Sequence, residues 1–193
     1  RALAKLGRDE EAQEVFGYAS VQLPSRYEPP YLQGLSLVLL GRYEEAGHAF
    51  DAALMLNKTD PEIWYEKGLV LSNLGHPAEA IPAFDDSIIY QPENPRAFLE
   101  RGKAFATLGK FEDAISSFDC VIDRLPENTC ALQAKGIALF RIRKFEDAIT
   151  LLERVLTHQP DNKDALYHCA AAFAELERFS EAAGVFGRLL VID

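Results

Sequence analysis

The 193-residue chain is short of the features that announce most chemistries. It has three cysteines, Cys120, Cys130 and Cys169. An odd number at irregular spacing is no disulfide framework, and the offsets miss the paired spacing of a structural zinc site. They read as partly buried small hydrophobes in a reducing compartment. No apolar run approaches the roughly 20 residues of a membrane span, since stretches such as 34–40 and 170–173 stop far short. The start, Arg1-Ala2-Leu3-Ala4-Lys5, has no initiator Met, apolar core or cleavage site. It reads as a trimmed start without a signal peptide, which fits the cytoplasm. The histidines, His48, His76, His158 and His168, are scattered, with no metal-ligand spacing, and there is no glycine-rich phosphate loop. Ser116, Ser117 and Thr107 have no evident base beside them. The expectation is a non-enzyme without metal or cofactor.

Positive charge is scarce too: 20 Lys and Arg stand against 30 Asp and Glu, for a net charge of −10. A nucleic-acid binder needs a basic face. Only a local stripe around Arg96, Lys103, Arg141, Arg143 and Lys144 argues for one, so nucleic acid is not the expected partner. The charge is uneven: residues 27–94 carry 3 positive and 11 negative side chains, residues 95–162 ten of each.

What is present is a period. Gly7, Gly41, Gly75 and Gly109 are 34 residues apart, and Arg143 and Glu177 continue the series. Alanine recurs at 12, 46, 80, 114, 148 and 182. Positions 16, 50, 84, 118, 152 and 186 read Phe, Phe, Phe, Phe, Leu, Phe, and Gly34, Gly68, Gly102 and Gly136 form another register, followed by Ala170. Each unit resolves into two amphipathic helices. In the unit starting at Pro61, Trp64, Leu71 and Leu74 share one face, Gly75 is placed as a left-handed C′ residue, and 78–90 forms a second stretch. Asp60, Asn94, Asn128 and Asn162 are candidate N-caps, with Pro61 and Pro95 in the first turn. Gly68 and Ala80 are small where two helices of a unit are expected to cross. A helix pair cannot bury its apolar side alone, so such units stack in arrays.

Leu40-Gly41-Arg42-Tyr43-Glu44-Glu45-Ala46 and Leu108-Gly109-Lys110-Phe111-Glu112-Asp113-Ala114, with Trp64 and the terminal prolines Pro92, Pro126 and Pro160, resemble the tetratricopeptide repeat. The resemblance covers essentially the whole chain. It implies an all-α solenoid, a right-handed superhelical array of antiparallel helix pairs. The expected division is a partial repeat at 1–26, repeats at 27–60, 61–94, 95–128 and 129–162, and an incomplete one at 163–193. Ile142-Arg143 and Leu176-Glu177 lack the turn glycine, so those turns are expected to differ.

The resemblance also implies that first helices line a concave groove that holds a protein or peptide partner. The groove-facing positions are the second, fifth, sixth, ninth, twelfth and thirteenth of each unit. From these come Tyr31, Leu35, Leu39, Tyr65 and Leu69 as an apolar and aromatic strip, Arg96, Lys103 and Arg141 as cations for acidic ligand groups, and Gln133, Tyr167 and His168. The subclass that clamps chaperone C-terminal carboxylates wants Lys at the fifth position and Asn at the ninth. Here the fifth positions read Tyr31, Tyr65, Leu99, Gln133 and Tyr167, and no register fits. Two alternatives stand beside a binding scaffold. One is a structural segment of a larger protein. The other is self-association through the apolar end Leu189-Leu190-Val191-Ile192, giving a homo-oligomer.

Overall fold

The structure, a computed structural model, describes residues 9–192. Among the described residues there are eleven α-helices and no strand. In chain order they are α1 (Asp9–Gln22), α2 (Glu28–Leu39), α3 (Tyr43–Leu56), α4 (Pro61–Asn73), α5 (Pro77–Tyr90), α6 (Pro95–Thr107), α7 (Phe111–Arg124), α8 (Thr129–Arg141), α9 (Phe145–His158), α10 (Lys163–Glu175) and α11 (Phe179–Val191). Two compact units are present, one ending at Ala104 and the other starting at Phe105.

The caps act where the sequence puts them. Asp60 Oδ1 accepts from the Glu62 amide at 3.0 Å, Asn94 Oδ1 from Arg96 at 3.1 Å, Asn128 Oδ1 from Ala131 at 3.0 Å and Asn162 Oδ1 from Ala165 at 2.9 Å. Each satisfies one of the amides a helix start leaves unbonded. Inside each pair, Gly75 has φ +79° and donates to Ser72 O at 3.1 Å, while His76 donates to Leu71 O at 2.9 Å. This is a Schellman closure. The turns at Arg143 and Glu177, expected to differ, are the same turn. Arg143 (φ 63°) donates to Phe140 O at 3.0 Å and Lys144 to Leu139 O at 2.9 Å. Glu177 (φ 59°) donates to Ala174 O at 3.0 Å and Arg178 to Phe173 O at 2.9 Å. The hydrogen-bond closure imposes the left-handed conformation even on residues with a Cβ.

In the first unit, α1 packs on α2, α2 on α3, α3 on α4 and α4 on α5, and α2 also meets α4. One core holds Leu37, Ala46, Phe50, Ile63 and Val70, and a second holds Tyr65, Ala80, Phe84, Ala97 and Ala104. The glycine in mid-helix faces the ring of its own second helix. A Cβ on Gly34 would stand 2.5 Å from the Phe50 ring, and one on Gly68 2.5 Å from Phe84. The close partner of Gly68 is therefore Phe84 rather than Ala80. In the second unit, α7 packs on α8, α8 on α9, α9 on α10 and α10 on α11, and α8 meets α10. Its core includes Leu132, Ala148, Leu152, Val155, Leu166, Cys169 and Phe173. Here Leu152 replaces phenylalanine, and a Cβ on Gly136 would meet its Cγ at 2.9 Å.

A charge ladder ties second helices to the first helices that follow them. Lys67 Nζ lies 2.5 Å from Asp51 and Arg101 Nη1 2.8 Å from Asp85 in the first unit, and Lys135 pairs with Asp119 in the second. Every pair spans 16 residues and recurs at the 34-residue period. At the next step the residues are Glu153 and Cys169, and Cys169 is fully buried.

Candidate protein-docking faces

The site positions lie on α2, α4 and α6 in the first unit and on α8 and α10 in the second. In the first unit the apolar strip is mostly not open. Tyr31 is half-buried with its ring 6.1 Å from Phe50, and Tyr65 is only 5% exposed, 6.1 Å from Phe84. The fifth residue of the unit stacks on the ring that also fills the glycine notch, so it belongs to the core. Leu35 and Leu69 are partly buried against the two cores. Leu39, 67% exposed, is the one member of the strip that opens to solvent.

The cations of this unit, read from the sequence as ligand-pairing groups, are already engaged. Arg96 Cζ lies 4.3 Å above the Tyr65 ring, and its Nη1 is 3.8 Å from Glu62. Lys103 Nζ is 2.8 Å from Glu100. Glu66 is different. It is half-buried and takes part in no hydrogen bond or ion pair among the described residues. Burial pushes its carboxyl above the usual range, Arg96 pulls it back, and Glu62 pushes it up further. The Tyr31 hydroxyl is pushed up to about 12, first by burial and then by the charges of Glu66, Glu62 and Asp60. The sequence places Glu62 and Glu66 on this face, but nothing local in it marks Glu66 as the carboxylate left over.

In the second unit Gln133 is a brace. Its Oε1 accepts from Asn162 at 2.8 Å and its Nε2 donates to Asp164 at 3.4 Å, joining α8 to the start of α10. Arg141 is exposed, with Cζ 4.8 Å from the Phe111 ring and no ion pair among the described residues. Tyr167 is 52% exposed and meets His168 edge-on at 5.2 Å. His168 also lies 5.4 Å from Phe140, and its enclosed Nδ1 has no hydrogen-bond partner. Burial pushes its pKa down; Asp164 raises it and Arg141 lowers it. Arg143 pairs with Glu175 at 3.2 Å.

The thiols are more varied than their sequence reading allows: Cys120 is partly buried, Cys130 exposed and Cys169 buried. At the chain's last helix, Leu190 and Val191 are 77% and 84% exposed, while Ile192 packs against the core, so the open apolar pair is Leu190 and Val191. Among the described residues, no three His, Cys, Asp or Glu side chains stand together as metal ligands, and no helix is long and apolar enough to cross a membrane.

Comparison with curated protein sequences finds no match. Among solved structures, MamA from Desulfovibrio magneticus RS-1 (residues 41 to the end) aligns over 86% of this chain and 94% of its own, at 20% identity and a TM-score of 0.83. A tetratricopeptide repeat protein from Parabacteroides merdae aligns over 100% of this chain and 76% of its own, at 16% identity and a TM-score of 0.83. These two likenesses are of fold alone. YrrB, described as a TPR protein with an unusual peptide-binding site, aligns over 86% of both chains at 25% identity with a TM-score of 0.79. The sequence profile of the tetratricopeptide repeat matches residues 31–85, 65–129 and 134–193. With most of its length matched, and with paired helices closed by the same turn throughout, the chain belongs to the tetratricopeptide repeat family.

Proposed function

We propose that the chain is a protein-interaction scaffold that holds a peptide or protein partner on the faces of its first helices. One observation carries the reading. After the helix pairs are packed, these faces still present side chains that are open to solvent or carry no ion pair: Leu39 and Glu66 in the first unit, Arg141 and Tyr167 in the second. Exposed apolar and aromatic groups beside unpaired charge suit recognition of another chain. Three unpaired thiols suit a reducing compartment such as the cytoplasm.

The test is affinity capture with two baits, the native chain and one carrying Leu39→Ser, Glu66→Gln, Arg141→Gln and Tyr167→Ser. Tyr65 is left alone because it is core. Circular dichroism should show both baits equally helical. A partner held by the first and lost by the second is the expected result; equal capture would move the site to the second helices.

A second reading rests on Leu190 and Val191, whose exposure on α11 suits self-association. Sedimentation would then show a concentration-dependent mass that Leu190→Gln with Val191→Gln abolishes.

A further inference from the structure

Residues 34 apart fill equivalent places, so the surroundings of Tyr31 and Tyr65 can be compared directly. Tyr65 carries a guanidinium over its ring, that of Arg96, with the Glu62 carboxylate 3.8 Å from the same group. Thirty-four residues earlier, the place of Arg96 is taken by Glu62 and the place of Glu100 by Glu66. Glu100 has its own cation, Lys103, at 2.8 Å, and Glu28 at the start of α2 has Arg26 at 2.8 Å. Glu66 has none. A half-buried carboxylate beside a tyrosine and a second carboxylate is unfavourable unless a cation joins it. Residues 27–94 supply only 3 positive side chains against 11 negative, so this stretch has few cations of its own to offer.

We propose that Tyr31, Glu62 and Glu66 form a seat for an arginine side chain of a partner segment. The guanidinium lies over the Tyr31 ring, as that of Arg96 lies over Tyr65, and donates to Glu66. Arginine suits the seat better than lysine, because its planar group both stacks on a ring and forks onto a carboxylate. Leu35 and Leu39 follow Tyr31 at one-turn spacing on the same side of α2 and receive an apolar neighbour of that arginine. The ligand is thus a basic segment with an apolar residue close to its arginine. This reverses the polarity that the sequence alone suggests for Arg96 and Lys103. It rests on the docking-face reading of the first helices and adds the chemistry of the occupant.

The test uses the full chain and fluorescence anisotropy with a short fluorescein-labelled peptide alternating arginine and leucine, beside lysine and glutamate versions. The arginine peptide should bind, the lysine peptide several-fold more weakly, and the glutamate peptide not measurably. Glu66→Gln keeps the shape and should weaken the arginine peptide by about tenfold or more, since a partly buried charge partner is lost. Glu62→Gln should weaken it less, and Glu112→Gln on α7 not at all. Unchanged binding by Glu66→Gln, equal binding of the glutamate peptide, or no binding of the arginine peptide overturns the seat. Amide shifts on ¹⁵N-labelled chain separate the two levels. Shifts around Tyr31, Glu62 and Glu66 support the seat. Shifts on first helices elsewhere overturn it and leave the docking-face reading intact. Shifts confined to second helices overturn both.

Discussion

The two units solve one packing problem with different side chains, and the difference separates what the repeat needs from what each unit adds. In the first, phenylalanine rings press into glycine notches and glycines close the helix pairs. In the second, Leu152 fills the notch at Gly136, and Arg143 and Glu177 close turns beside the one that Gly109 closes. The notch and the left-handed turn are common to both units, while the residue occupying each place is free to change. The outward faces diverge further. The first unit leaves a carboxylate without an ion pair, Glu66, and the second a guanidinium, Arg141, which lies over a ring.

The largest effect should come from the notches. Gly68→Ala places a methyl 2.5 Å from the Phe84 ring, which a rigid ring cannot yield to locally. Overpacking costs about 1–3 kcal/mol and the helix-propensity gain offsets about 1, so a net loss of up to about 2 kcal/mol is expected in urea denaturation. Gly136→Ala meets Cγ of Leu152 at 2.9 Å, a looser contact than the ring makes, and should lose less. Equal losses at the two sites would show that the ring does not distinguish the units.

Next come the turns. Gly75→Ala at φ +79° should cost about 1 kcal/mol, the usual penalty for a left-handed residue with a Cβ. Glu177→Gly should stabilise by about half a kcal/mol, because the relief of the φ 59° strain is partly offset by a more flexible unfolded chain. If Glu177→Gly destabilises, the side chain contributes more than its backbone strain removes.

A buried hydroxyl gives an effect of similar size. Ser87 is fully buried with its Oγ unpartnered, at a place where the other repeats carry Ala53, Val121 and Val155. Ser87→Ala should stabilise by about 1 kcal/mol, the order of an unsatisfied buried polar group. A loss in melting temperature would mean that the hydroxyl finds a partner in solution.

The smallest effects are in pH dependence, and the two units should show opposite signs. His168 has a lowered pKa, so the unfolded chain binds its proton first; stability from this residue is present above the ordinary histidine pKa and is lost as pH falls through it. Glu66 has a raised pKa, so its contribution is full below the ordinary carboxylate value and is lost as pH rises through the folded value. His168→Gln should therefore flatten the mildly acidic limb of a melting-temperature profile. Glu66→Gln should raise the melting temperature at neutral pH, with the gain vanishing on acidification.

The helices, caps and glycine turns were legible because each depends on residues within one or two turns of one another. Asp60, Asn94, Asn128 and Asn162 announce themselves by type and place. The turns at Arg143 and Glu177 were misread because the closure comes from backbone hydrogen bonds, which residue type does not report. The exposure of Tyr65 was misread because its fate depends on Phe84, 19 residues away on the other helix. The ladder of Asp51, Asp85 and Asp119 with Lys67, Arg101 and Lys135 was missed although its period is plain once charges, and not only small and apolar residues, are followed at 34-residue spacing. Glu66 could not be singled out, since being left over is a property of every neighbouring charge together.

The end of that ladder equips the molecule with a timer. Where earlier repeats carry a lysine or arginine, Cys169 sits wholly enclosed, its thiol pushed up to about 11 chiefly by burial, while Cys130 stands open at the start of α8. A thiol reagent will consume Cys130 at its own chemical pace. It can reach Cys169 only during excursions in which α10 and its neighbours part. The interval between the two labelling events therefore clocks the breathing of the second unit without any engineered probe.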